Sequence, residues 1–223
     1  MYLCRMALVK LMHKEFQLDM RKKQVLFGIL LFVLSSVYVC YLSMERLDSG
    51  KTLSALYWLV GLFGAFHAMT KSFSQEEQGS HFLLYTLASP RNIWMAKSIY
   101  YSLLLVFLNL LSSALFTLFF GAEIWEKAGI WLFAFIVLGS FGLGTALTFL
   151  SAMAFKANGS TGLITVLGFP ILMPFMQSLS IGTQEVLNGG DWGSVGLYLV
   201  ILLGLTLLSA VLALFLVPFF WKG

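Results

Sequence analysis

Residues 192–221 read WGSVGLYLVILLGLTLLSAVLALFLVPFFW, thirty consecutive positions without a charged side chain. A bilayer's hydrocarbon core is about 30 Å thick and an α-helix rises about 1.5 Å per residue, so about 20 apolar residues suffice to cross it. Charge-poor apolar runs recur at about 25–43, 52–70, 98–122, 128–155 and 159–184, which predicts six membrane-spanning helices with 192–221 as the last. Composition agrees: of 223 residues 59% are hydrophobic and 11% charged, against about 25% charged in a soluble domain. The expected fold is all-α and polytopic, with one membrane domain over 25–223 and a more polar segment, 1–24, before it. Several runs exceed the minimum length, so tilt or kinks are expected.

Orientation follows from lysine and arginine, which accumulate on the cytoplasmic side. On one side stand Arg5, Lys10, Lys14, Arg21, Lys22, Lys23, Lys71, Arg91, Lys97, Lys156 and Lys222; on the other stand Arg46, Lys51 and Lys127. Both termini are therefore expected in the cytoplasm. The formal net charge of +4 sits where topology signals belong, which argues against nucleic-acid binding. Cys4 and Cys40 fall on opposite sides of the first span, so neither an internal disulfide nor a zinc site is expected. The basic region before the first span is too long for a secretory signal, and residues 40–45 lack a small-residue cleavage pattern, so that span is expected to persist.

Two non-spanning segments carry pattern of their own. In 1–24, Val9, Met12, Phe16 and Met20 share one helical face while Lys10, Lys14, Gln17 and Arg21 share another, as in a helix lying at the membrane interface. The connection 71–97 mixes Glu76 and Glu77 with Gly79, Phe82, Leu83 and Leu84 before Ser89-Pro90-Arg91. A short amphipathic helix stopping near Pro90 is expected there, at the cytoplasmic surface and able to meet a soluble partner.

Within the spans, Ser140, Gly144, Thr148 and Ala152 repeat every four residues, a stripe that lets a neighbouring helix approach closely. Pro170 and Pro174 each lack a backbone N–H, and a break or sharp bend of the fifth span is expected at them. Gly50-Lys51-Thr52 resembles the end of a phosphate-binding loop, but Glu45 stands where that pattern needs glycine. No catalytic or metal-binding constellation is found, so any ATP hydrolysis is assigned to another chain. His67, Asn109 and Gln177 are read first as interhelical hydrogen-bonding residues and second as substrate contacts. Trp58, Trp94, Trp125, Trp131, Trp192 and Trp221 fall towards span ends, where an aromatic belt is expected.

The run Phe73-Ser74-Gln75-Glu76-Glu77-Gln78-Gly79, with Leu83, Leu84, Ser89-Pro90 and Lys97, resembles the cytoplasmic region after span two of ABC-2-type exporter permeases. Gln75 departs from that pattern, which has an acidic residue at this position. Over nearly the full length the chain resembles the CcmB family, the membrane subunit of a haem exporter system of cytochrome c maturation. The residues carrying this are His13-Lys14-Glu15-Phe16, Thr86-Leu87-Ala88-Ser89-Pro90, the glycine-rich fourth span ending at Lys156, and Phe169-Pro170-Ile171-Leu172-Met173-Pro174.

The resemblance implies a permease, expected as a homodimer, paired with a separate cytoplasmic ABC ATPase. It further implies a haem-handling membrane protein and a periplasmic haem chaperone as partners. Haem would be a transported or partner-bound ligand, with no cofactor held tightly by this chain. Glu76, Glu77, Gly79, Phe82, Leu83, Leu84 and Pro90 form the expected ATPase-coupling surface, braced by Glu15 and Phe16. An ABC-2 permease for another cargo, such as a lipid-linked glycan or a drug, is the competing reading.

Overall fold

The structure, a computed structural model, describes residues 2–21, 23–43, 50–69, 89–121, 123–156 and 161–222. Among them are seven helices and no strand: α1 (Tyr2–Arg21), α2 (Lys23–Ser43), α3 (Gly50–Met69), α4 (Pro90–Phe120), α5 (Glu123–Lys156), α6 (Thr161–Leu187) and α7 (Trp192–Lys222). By length and composition Pro90–Phe120, Gly129–Ala154 and Trp192–Phe219 can each cross a membrane, and Phe27–Ser43 is a shorter apolar helix.

Helix α5 is the hub, packing against α3, α4, α6 and α7. Its stripe of Ser140, Gly144, Thr148 and Ala152 is buried, as the four-residue repeat predicts. A Cβ on Gly144 would stand 2.9 Å from the Cα of Ser102 on α4, so the two backbones meet with no room for a side chain. Large residues interlock on either side of the stripe, Phe135, Ile136, Leu143, Leu147 and Leu150 being fully enclosed. A second apolar cluster joins Trp94 of α4, Phe149 and Ala152 of α5, and Ala213 and Val217 of α7.

One expected boundary differs from the structure. Span three begins at Pro90 rather than at 98, because Ser89 caps α4 and Pro90 occupies its first turn; proline there starts a helix instead of stopping one. Where a break or sharp bend is expected at Pro170 and Pro174, α6 runs as one helix through both. Pro170 is exposed and Pro174 half-buried, while Leu172, Phe175 and Leu179 anchor the same helix in the core. Packing therefore holds the segment although two backbone donors are missing, and the Ser178 hydroxyl donates to the Pro174 carbonyl at 2.8 Å. The non-helical residue lies in α5 instead: Gly129 adopts φ 48°, ψ −136°, a conformation open to glycine and disfavoured for L side chains.

Candidate coupling site

Helix α4 starts from a defined cap. The Ser89 carbonyl accepts from the Asn92 and Ile93 amides at 3.0 and 3.2 Å, and Pro90 fixes the first turn. Two turns further on, Lys97 points into the protein and is 1% exposed. Its Nζ reaches Glu15 Oε1 at 3.1 Å and Oε2 at 3.2 Å. One turn along α1, Asp19 Oδ2 accepts from the Tyr100 hydroxyl at 2.8 Å. Positions 15 and 19 share a face of α1, as 97 and 100 share a face of α4. The two helices are thus clamped by matched polar pairs. A carboxylate and an ammonium removed from water cost several kcal/mol each unless paired, so the geometry must be kept for the fold to hold.

Of the expected coupling surface, Glu15, Phe16 and Pro90 lie among the described residues. Glu15 and Phe16 face apart: Glu15 is 6% exposed and held by Lys97, while Phe16 is 47% exposed. The side that buries Glu15 and Asp19 is the one packed on α4. Glu76, Glu77, Gly79, Phe82, Leu83 and Leu84 lie outside the described residues. Asp19 and Tyr100 were not singled out from sequence. The available signal was the spacing itself, two acids four apart on α1 and a Lys–Tyr pair three apart on α4.

Deeper in the bundle the polar residues are neutral and join helices. The Tyr57 hydroxyl donates to the Asn109 carbonyl at 2.9 Å, and Asn109 Nδ2 donates to Ser140 Oγ at 2.9 Å, as the hydrogen-bonding reading of Asn109 requires. Trp58 Nε1 donates to Thr183 Oγ1 at 2.9 Å. Trp58 and Trp94 are buried, so the expected belt position fails for both: each fills the interior. Trp131 and Trp192 instead pack on each other at 4.5 Å, Trp192 being 69% exposed. His67 stacks on Phe32 with ring centroids 5.5 Å apart, and Gln177 is exposed.

Apolar helices packed through small and hydrogen-bonded residues, with a charged clamp between α1 and α4, define a helical membrane protein. A family model described as CcmB protein matches residues 6–220, and the chain belongs to the CcmB family. Membership makes it a membrane protein of transport and cytochrome c-type biogenesis. No curated protein and no solved structure matches the chain.

Proposed function

We propose that the chain is the permease subunit of an ABC-type complex of cytochrome c maturation, driven by a separate cytoplasmic ATPase. ATP hydrolysis would be coupled to haem export or to release of a haem-loaded periplasmic chaperone. The family membership supports this reading, as does the lack of a phosphate-binding loop in the sequence. In this reading the protein spans the inner membrane six times with both termini cytoplasmic, and works as a homodimer beside the haem-handling membrane protein.

The observation that carries the coupling mechanism is the Lys97–Glu15 pair with its Tyr100–Asp19 neighbour. Residues 76–84 hold the charged and apolar side chains suited to an ATPase cleft, and the chain then leads directly into the capped first turn of α4. Displacement of that segment would act on a rigid helix end, and the buried clamp would make α1 move with α4. The functional unit is then a lever of two helices rather than a single loop.

The test is co-purification of the ATPase with Glu77→Lys and with Leu83→Ala/Leu84→Ala, each checked for membrane level. Loss of a central interface residue costs about 2 kcal/mol or more, so recovery of the ATPase should fall at least tenfold. Wild-type recovery with both variants would remove this segment from the coupling surface. ATP-dependent release of haem-loaded chaperone from the purified complex separates the haem reading from a permease for another cargo.

A further inference from the structure

The far end of α4 is built differently from the clamped one. Phe120, the last residue of α4, lies about 35 Å along the helix from Lys97, and the apolar span of α5 begins at Gly129. Between them the chain turns twice at glycine. Gly121 adopts φ 100°, ψ 161° and Gly129 φ 48°, ψ −136°, conformations that glycine accepts and L side chains resist. The first ends α4; the second sets helix 123–128 off the axis of the span, so α5 is two helices joined at an elbow. By helical spacing Glu123, Glu126 and Lys127 occupy one face of the short helix, and Ile124, Trp125 and Ala128 the other. Leu118, just before the first turn, is 75% exposed, and Ile130, just after the second, 78%. Both therefore belong to the lipid-facing outside of the bundle. Aromatic rings gather at the same end: Tyr41 of α2 packs on Phe119 and Phe120 with centroids 5.3 and 5.7 Å apart, and Trp131 packs on the exposed Trp192 at the start of α7. Tyrosine and tryptophan, apolar at one end and polar at the other, collect where hydrocarbon gives way to headgroups.

We propose that helix 123–128 is a foot on the membrane surface, lying in the headgroup layer with its 124/125/128 face towards the acyl chains and its 123/126/127 face towards water. The two turns are continuous with lipid-facing residues on both sides, so the chain between them meets the bilayer boundary and not a protein partner. An amphipathic helix at that boundary buries its apolar face about 5–10 Å deep while its charges stay hydrated. The elbow at Gly129 is what allows it: a helix continued straight up from the α5 span would carry Ile124 and Trp125 out of the membrane. The foot fixes the depth of the joined ends of α4 and α5, so that a displacement at the clamped end works against a held end. This assignment rests on membrane embedding and on the two glycine turns, not on the cargo or the ATPase, so it stands or falls separately from the proposed function.

The experiment places the full-length protein, carrying Cys4→Ser and Cys40→Ser, in phosphatidylcholine nanodiscs. A nitroxide is attached in turn through Glu123→Cys, Ile124→Cys, Lys127→Cys and Ala128→Cys. Collisions of each label with oxygen, which concentrates in lipid, and with a water-soluble nickel chelate are read by power saturation. Labels at 124 and 128 should lose contact with nickel and keep it with oxygen, while those at 123 and 127 should show the reverse. Gly129→Ala, which places an L side chain at the elbow, should abolish this alternation and open all four positions to nickel. Because Gly129→Ala can misfold, the alternation in the protein with Gly129 intact stands as an independent criterion. Nickel contact at all four positions with Gly129 intact would place the helix in water and overturn the proposal. So would contact with neither reagent at 124 and 128, which would put a protein surface over that face.

Discussion

Helices α5 and α7 are both long enough to cross a bilayer, yet 56% of the apolar stretch of α5 is buried against 22% of that of α7. The buried helix carries serine, threonine and glycine at its contacts, while the exposed one presents Leu203, Leu207, Val211 and Phe215 along its outer side. In water the more apolar helix would be the one enclosed. Here lipid tails solvate leucine and phenylalanine as well as a protein core does, so burial selects for close approach and hydrogen bonding. The interior of this protein is thus specified by small and polar residues, and its outside by large apolar ones.

The severest way to break that rule is to leave a charge inside without its partner. Lys97→Met strands Glu15 in a dry site, and the expected loss is about 3–5 kcal/mol, read as a fall in the denaturant midpoint of the purified protein in mixed micelles. Adding Glu15→Gln should restore part of it. No loss in the single variant would mean that water reaches the pair freely.

Next in size is a contrast between two glycines. Leucine at Gly144 must push apart α4 and α5, an overpacking cost of about 1–3 kcal/mol or more, whereas a Cβ at Gly204 on α7 meets nothing within 4 Å. Gly204→Leu should therefore stay within about 0.5 kcal/mol of wild type while Gly144→Leu lowers the thermal midpoint and the membrane level. Equal effects would erase the distinction between inner and outer helices.

A smaller loss than at Gly144 is expected at Asn109→Leu, which removes the bond to Ser140 at similar side-chain volume. Interhelical hydrogen bonds in membranes contribute about 0.6–2 kcal/mol, and the same micelle titration should return a value in that range. A larger penalty would show that the amide has a further role.

Much of this architecture is legible in the sequence because a bilayer imposes length and polarity on each crossing. The runs at 25–43, 52–70, 159–184 and 192–221 correspond within a few residues to α2, α3, α6 and α7, and the four-residue small stripe lies on the buried face. Misreadings arise where two distant residues cancel each other's cost. Lys97 marks a span boundary if its charge faces water, but Glu15, 82 positions away, lets it be buried inside the span. Trp58 and Trp94 suit a belt until Thr183 offers the first an acceptor and small residues of α5 and α7 make room for the second. Each case needs partners that a linear scan does not connect, and the clamp of the candidate site belongs to this class.

The central claim is that the Lys97–Glu15 pair transmits the ATPase's action from α4 to α1, and charge exchange tests it directly. Lys97→Glu and Glu15→Lys would be assayed singly and together for ATPase co-purification and for ATP-dependent release of haem-loaded chaperone. The account predicts that each single variant is destabilised, that its folded and inserted fraction still binds the ATPase but loses release at least tenfold, and that the double variant regains a substantial part of both stability and release. Release at wild-type rates from both single variants, inserted at normal levels, would contradict it.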